Sequence, residues 1–226
     1  MQAPHSFKLH NASFWLSAER CIFWEEEKTL IVSDLHFGKT GHFRKSGIAV
    51  PQKVFKEDLQ RLVAQLQFYN PKSLLVVGDL FHSVENKELD LFRKWRDDLP
   101  DLEIRLVKGN HDILKESWYK AAGITVYSDG LQMNGFCFTH DNVHCFSEAQ
   151  AADPNGKYTI SGHIHPGVRI SGLGRQSLCL PCFYFGREYA VLPAFSRFTG
   201  TALIDPSAGD RVFAVVNKEV VELSLQ

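Results

Sequence analysis

Five short polar motifs each follow an apolar run, and together they supply side chains that could bind metal ions. In chain order they are Asp34-Leu35-His36, Gly78-Asp79, Gly109-Asn110-His111-Asp112, Thr139-His140 and Gly162-His163-Ile164-His165. Asp, Asn and His offer the oxygen and nitrogen ligands that bind hard-to-borderline divalent cations. Five such motifs predict one shared site, and a pair of divalent cations there would suit hydrolysis of a phosphate ester.

The segments before these motifs are short apolar runs that predict buried strands. They read TLIVS, SLLVV, IRLV, GFCF and YTIS. Between the first three, apolar residues recur at helical spacing from Pro51 to Tyr69 and from about Asn86 to Asp97. The resulting β-α-β-α-β order predicts parallel strands joined by crossover helices. Sheets of this kind carry their sites beyond the carboxyl ends of the strands, where the motifs lie.

The pattern changes past residue 124 to successive strands with few helices. We predict strands at 124–127, 130–139, 158–161, 177–185, 201–204 and 211–224, the last with a turn at Asn217-Lys218. A second sheet packed on the first, with helices outside, would accommodate both halves. Because no repeat or Pro/Gly-rich linker interrupts the sequence, we expect a single domain spanning residues 1–226.

Composition narrows the class of protein. The formal net charge is -1, so a broad basic surface for nucleic acid is not indicated, although a metal centre can supply positive charge locally. No apolar run approaches the roughly 18 residues of a membrane helix, and the N-terminal segment lacks the pattern of a secretory signal. We therefore expect a cytoplasmic protein. Cys179 and Cys182 form a C-x-x-C, which we interpret as two reduced core cysteines because nothing completes a zinc set.

The order of the motifs resembles the calcineurin-like metallophosphoesterase superfamily, in which D-x-H, GD, GNHD, H and GHxH follow one another. This resemblance implies a four-layer α-β-β-α sandwich of two mixed sheets. It assigns one metal ion to Asp34, His36, Asp79 and His165. It assigns the second to Asp79, Asn110, His140 and His163, so that Asp79 bridges the two.

The charges of such a centre suit a phosphate ester. Two divalent ions bring about +4 and the carboxylates of Asp34 and Asp79 offset about -2, which favours an anionic phosphate and acidifies a bridging water. The resulting hydroxide would attack phosphorus in line. His111, next to a ligand but not itself one, is the expected general acid. Asp112 could equally cap the local turn or take part directly. The mixed ligands suit manganese, with iron or zinc as alternatives.

The second motif departs from one branch of the superfamily. Phosphoprotein phosphatases carry GDxxDRG, whereas this chain has His82 in place of the second Asp and no arginine after it. The departure argues against a protein phosphatase, and the segment looks like the GDLFH of double-strand-break repair nucleases. His82 could support His111, contact substrate or only pack.

A more specific resemblance comes from the segment SDLHFGKTGHFRKSGIAVPQ (33–52), together with GHIHP (162–166), LPCF (180–183), LPAF (192–195) and FTG (198–200). These resemble the ligase-associated DNA damage response endonucleases called PdeM. The resemblance implies a phosphodiesterase that acts on nucleic acid in DNA repair and is functionally associated with a DNA ligase and a helicase. In the first segment, Lys39 and Arg44 are the residues we expect to contact flanking phosphates.

Two other functions stay open at this point. One is hydrolysis of a small phosphate ester, such as a nucleotide or a lipid-precursor pyrophosphate. The other is a scaffold that has kept the fold and lost catalysis, which is disfavoured because all seven ligand positions and His111 carry competent residues. The sequence leaves open endonuclease or exonuclease action and the oligomeric state.

Overall fold

The computed structural model describes residues 2–39, 53–82, 87–141, 158–171 and 177–224. Within these residues the chain forms sixteen strands in two sheets, and three helices. No helix in these ranges is both long enough and apolar enough to cross a membrane.

The first sheet has seven strands that lie side by side in chain order. They are β1 (His5–Leu9), β2 (Ala12–Ser17), β3 (Cys21–Trp24), β4 (Thr29–Val32), β5 (Ser73–Val77), β6 (Glu103–Val107) and β7 (Ile124–Tyr127). Strands β1 to β4 pair antiparallel, whereas β4 to β7 pair parallel. The parallel half confirms the crossover topology predicted from the β-α-β-α-β order.

Three helices pack on one face of this sheet: α1 (Lys53–Tyr69), α2 (Lys87–Asp97) and α3 (Glu116–Ala121). Leu62 of α1, Phe92 of α2 and Trp118 of α3 share one apolar core with alternate residues of the parallel strands, such as Leu74 and Val76. The remaining residues of the same strands face the second sheet. Both faces are therefore buried, which explains why these strands read as unbroken apolar runs.

The second sheet has nine strands. Seven follow one another in the order β14-β11-β12-β13-β10-β9-β8, while β15 pairs with β12 and β16 pairs with β15. Their bounds are β8 (Leu131–Met133), β9 (Phe136–Thr139), β10 (Tyr158–Ser161), β11 (Pro166–Ser171), β12 (Ser177–Phe185), β13 (Tyr189–Val191), β14 (Ala202–Leu203), β15 (Arg211–Val216) and β16 (Glu219–Leu223).

The two sheets pack face to face. Ile31 and Val77 of the first sheet belong to the same apolar core as Phe138, Ile160 and Phe183 of the second. The α/β sandwich of two mixed sheets expected from the sequence is thereby confirmed. This packing is what brings the carboxyl ends of strands from both sheets to one place.

Some local predictions differ from the structure. The predicted strand 130–139 is a hairpin, because Asn134 (φ 47°) and Gly135 (φ 86°) form a tight turn in which both residues have positive φ. Strands β1, β11 and β13 and helix α3 were not predicted. The C-x-x-C lies on β12, where residues three apart face opposite sides. Cys182 is buried but Cys179 is exposed, so the interpretation of two core cysteines is wrong for Cys179.

Candidate metal centre

The five polar motifs follow β4, β5, β6, β9 and β10. The first three strands are parallel neighbours in one sheet, and β9 and β10 are parallel neighbours in the other. Because the carboxyl ends of parallel strands meet at one edge, each sheet delivers its motifs together. The packing of the sheets then joins the two groups.

Two clusters of side chains result. In each cluster one nitrogen or oxygen atom per residue lies within 4.8 Å of the others, close enough to hold a metal ion. The first cluster is Asp34, His36 and His165, and the second cluster is Asp79, His140 and His163. His165 Nε2 lies 3.3 Å from Asp34 Oδ1 in the first, and His163 Nδ1 lies 3.1 Å from His140 Nε2 in the second.

The carboxylate of Asp79 lies between the two clusters. Its Oδ2 is 3.5 Å from His140 Nε2 and 3.7 Å from His36 Nε2. Its Oδ1 accepts a 2.9 Å hydrogen bond from the backbone N–H of His111. Asn110 completes the set, with its Oδ1 3.0 Å from His140 Nε2. All seven residues predicted as ligands therefore come together.

The buried atoms of the first cluster indicate that a cation belongs there. Asp34 Oδ1 and His36 Nε2 are buried, and neither has a hydrogen-bond partner among the described residues. Polar atoms that are buried without a partner cost free energy, so such atoms are rare unless something else binds them. An oxygen and an imidazole nitrogen are both good donors to a divalent cation. The residues present thus fit the metal ions that the motifs imply.

The pKa values of these side chains bear on whether they can bind a cation. Burial lowers the pKa of His36 to about 2, so its imidazole is neutral, the form that binds a cation. Burial alone would raise the pKa of Asp34, but the imidazole of His165, whose Nε2 lies 3.3 Å from Asp34 Oδ1, holds it below its ordinary value. Burial raises the pKa of Asp79, so protons compete with cations for that carboxylate.

The backbone at the site is strained. Asp34, His36, Asp79, His163 and His165 all have φ between 50° and 67°, in the left-handed region that residues with a side chain seldom adopt. Each such residue costs roughly 1–3 kcal/mol and persists only where its surroundings determine it. Hydrogen bonds from Asp34 N to Gly78 O (3.1 Å) and from His36 N to Asp79 O (2.8 Å) supply part of this restraint.

The glycines of the motifs leave room for the ligand side chains. A Cβ on Gly78, which also has φ +80°, would overlap the imidazole of His140. A Cβ on Gly109 would overlap Asp79, and one on Gly162 would overlap Ser33 and approach Asp34 Oδ2 at 2.6 Å. Each glycine therefore permits a backbone to approach the side chain of another motif.

Two histidines outside the predicted ligand set, His82 and His111, lie beside the clusters. The rings of His82 and His111 are in contact, with their centroids 4.1 Å apart and their planes tilted by 32°. His82 Nδ1 lies 3.2 Å from His36 Nδ1, so His82 contacts a predicted ligand and the predicted acid at once. Of the three possibilities for His82, support of His111 is the one that the ring contact favours.

Asp112 joins two of the motif loops. Its Oδ1 accepts a hydrogen bond from Phe81 N and its Oδ2 accepts one from Gly109 N, both 2.9 Å long. Burial raises its pKa to about 7, although these amides oppose the rise. Because both carboxylate oxygens are engaged by backbone amides, the turn-capping interpretation of Asp112 fits the structure.

Of the two lysine and arginine residues predicted to contact substrate, the structure describes only Lys39. Lys39 is half-buried beside the site. Burial lowers its pKa, and the charges of Asp79 and Asp34 partly oppose that effect. Arg44 lies outside the described residues.

A cleft of about 520 Å³ opens on the second cluster, and sequence reasoning did not predict it. Asn110, His140 and His163 line it together with Lys108 and Ser128. Lys108 and Ser128 directly follow the parallel strands β6 and β7, so they lie at the same carboxyl-end edge of the sheet as the predicted ligands. The position of Lys108 directly before the third motif could have indicated that it lies near the ligands.

Comparison with known proteins agrees with this geometry. The chain matches the family model of the calcineurin-like phosphoesterases over residues 27–149. The crystal structure of Pseudomonas putida nuclease MPE is 25% identical, with a TM-score of 0.80 over 97% of this chain and 100% of that one. Yfce, a phosphoesterase from E. coli, is 15% identical, with a TM-score of 0.42 over 88% of this chain and 99% of its own. No curated protein matches the sequence.

The matched region covers more than half of the chain and contains four of the five motifs, from Asp34 to His140. The fifth motif, with His163 and His165, lies beyond it and completes both clusters in space. The sequence thus matches a family of metal-dependent phosphoesterases, and the structure has two clusters of side chains that could hold metal ions. The chain belongs to the calcineurin-like phosphoesterase family.

Proposed function

We propose that this protein is a two-metal phosphodiesterase that cleaves nucleic acid. The observation that carries the proposal is the position of Asp79, whose Oδ2 lies within 4 Å of a histidine from each cluster. A carboxylate has two oxygens and can bridge two cations, which an imidazole cannot readily do. One carboxylate between two clusters therefore supports a dinuclear centre over two independent sites.

The ligand assignment follows the clusters. Asp34, His36, Asp79 and His165 would hold one ion, and Asp79, Asn110, His140 and His163 the other. When bound, two divalent cations supply the Lewis acidity that activates water and offsets the charge of a phosphate. Oxygen and nitrogen ligands without a thiolate suit manganese, and iron or zinc would also fit.

His111 is the proposed general acid. Its backbone N–H donates to Asp79 Oδ1 and its ring packs against that of His82, so both the backbone and the side chain have a defined position. The side chain is partly buried beside the clusters without belonging to either. From there it could protonate the leaving oxygen while the ligands keep their own positions.

Nucleic acid as the substrate is supported by the likeness to the P. putida nuclease over nearly the whole of both chains. Lys39 adds a positive charge next to the clusters, where a flanking phosphate would lie. A place in DNA repair, with a DNA ligase and a helicase as functional associates, is a further prediction that rests on the PdeM resemblance. Arg44, which lies in the same basic segment as Lys39, is a second predicted phosphate contact.

The test is manganese-dependent cleavage of end-labelled single-stranded and double-stranded DNA. Asp79→Ala is the contamination control, since loss of the shared carboxylate should release both ions and abolish activity. Cleavage by wild type alone would support a nuclease, and the product ladder would distinguish endonuclease from exonuclease action. A metal-loaded wild type that leaves DNA intact would contradict the proposal and favour a small phosphate ester instead.

A further inference from the structure

A partly buried ionic network lies behind the first cluster and includes none of the predicted ligands. We call it the Arg61 network, and it consists of Glu19, Arg20, Asp58, Arg61 and Ser196. Arg61 Nε donates to Glu19 Oε2 at 2.6 Å, and its Nη1 donates to Asp58 Oδ1 at 2.7 Å. Asp58 is only 3% exposed. Charged groups are seldom buried in this way unless they are paired, so the network has a defined geometry.

The network holds the loop of residues 192–196, which contains the LPAF segment that the proposed chemistry leaves unexplained. Arg61 Nη1 donates to Phe195 O at 3.0 Å, and its guanidinium lies 4.4 Å from the centre of the Phe195 ring. Ser196 Oγ donates to Asp58 Oδ2 at 2.9 Å. Arg20 Nη1 donates to the carbonyls of Ala194 (3.3 Å) and Ser196 (3.2 Å).

The loop in turn holds the backbone of a predicted ligand. Phe195 N donates to Ser33 O at 2.7 Å, and Ser196 N donates to Asp34 O at 3.2 Å. At its other end, Leu192 N donates to Ser161 O at 2.8 Å. The 192–196 loop therefore joins the end of β4 in one sheet to the end of β10 in the other. Both strands lead into residues of the first cluster.

Asp34 needs such a restraint. Its φ of 53° is a strained conformation, which persists only where neighbouring groups determine it. Its carbonyl is held by Ser196 N and its own N–H donates to Gly78 O. Loss of the loop contact would leave one side of Asp34 without support, and its carboxylate would move relative to His165.

We propose that Arg61 is a positioning residue, which keeps Asp34 and with it the first metal cluster in place through the 192–196 loop. The inference rests on the proposed two-metal function. The planar guanidinium matters because it serves Glu19, Asp58 and Phe195 O at once, which the single ammonium of a lysine cannot do in the same geometry.

The test compares Arg61→Lys with Arg211→Lys. Arg211 is the control for the change of residue type, because it also donates to a carboxylate (Glu222 Oε1, 2.7 Å) and lies 4.6 Å from the ring centre of Phe7, but it is on β15. Calorimetric titration of metal-free protein with Mn²⁺ gives the affinity and number of ions without relying on activity. Thermal unfolding of the metal-free variants gives the change in stability.

Arg61→Lys should weaken the binding of one of the two Mn²⁺ ions by about 10–100-fold, as is usual when a group supporting a ligand is lost. Arg211→Lys should bind both ions as wild type does. If Arg61→Lys does not fold, Ser196→Ala removes only the hydroxyl between the loop and Asp58, and should weaken the same ion.

Two failures can be distinguished. If wild type binds two Mn²⁺ ions and both Arg61→Lys and Ser196→Ala bind them with the same affinity as wild type, the positioning role alone is overturned. A wild type that does not bind two Mn²⁺ ions would overturn the two-metal function and this inference with it.

Discussion

His82 Nδ1 lies 3.2 Å from His36 Nδ1. Of two ring nitrogens at this distance, one must carry the hydrogen and the other must accept it, so the tautomers of the two histidines are linked. With Nδ1 of His36 engaged by His82, its buried Nε2 is left facing the clusters. Groups that support a metal-binding histidine in this way orient the ring and determine its tautomer.

This contact predicts that His82→Phe weakens metal binding. Phenylalanine can keep the ring contact with His111 but offers no nitrogen to His36, so the orientation of His36 is less well determined. We expect the Mn²⁺ affinity of one site to fall by about 10-fold. Titration of the metal-free variant with Mn²⁺ measures it. Wild-type affinity combined with slow turnover would instead mean that His82 serves His111 or the substrate.

His111→Ala should keep the metal ions and slow turnover by roughly 10²–10⁴-fold, the usual contribution of a positioned acid. The rate on a p-nitrophenyl phosphodiester should fall less than the rate on DNA, because that leaving group hardly needs a proton. Metal content by elemental analysis and kcat on both substrates measure the effect. Loss of the metals, or full activity on DNA, would remove His111 as the acid.

Gly78→Ala should lose metal from the second cluster, because the added Cβ overlaps the ring of His140. Gly135→Ala is its matched control: its φ of +86° is close to the +80° of Gly78, but no described atom lies within 4 Å of the added Cβ. Both variants carry a backbone strain of about 1–2 kcal/mol. Only Gly78→Ala should change the metal content, and equal content in both would contradict the role given to this close approach.

Lys39→Ala should weaken binding of DNA without regard to its sequence, since the ammonium is expected to contact a phosphate. The slope of log affinity against log salt concentration should become shallower by about one. Fluorescence anisotropy with labelled DNA at several salt concentrations measures this. Lys8→Ala, which changes an exposed lysine on β1, is the control and should match wild type. An unchanged slope in Lys39→Ala would exclude the phosphate contact.

The two cysteines of the C-x-x-C should react differently with an alkylating reagent. Burial raises the pKa of the Cys182 thiol to about 12, and only a thiolate reacts, so near pH 8 Cys182 should stay unmodified. Cys179 is exposed and should be labelled. Mass spectrometry of the peptides reports each site, and added zinc should not protect Cys179. Protection by zinc would contradict the view that opposite faces of β12 keep the two thiols from sharing a metal.

The residue types of the site and its general position could be predicted from the sequence. Asp34, Asp79 and Asn110 each follow a short apolar run, and the helices between those runs imply parallel strands whose carboxyl ends share one edge. The same reasoning placed β5, β7, β10 and β12 at the bounds that the structure has. These features follow from local periodicity, which a single sequence carries.

The arrangement of the ligands was decided by tertiary structure. His165 meets Asp34, and His140 meets Asp79, only because the two sheets pack face to face through residues such as Val77 and Phe138. The left-handed backbone of Asp34, the contact between His82 and His36, and the hold of Arg61 on the 192–196 loop have the same origin. Each joins segments far apart in the chain through packing and hydrogen bonds, and neither leaves a periodic signal in the sequence.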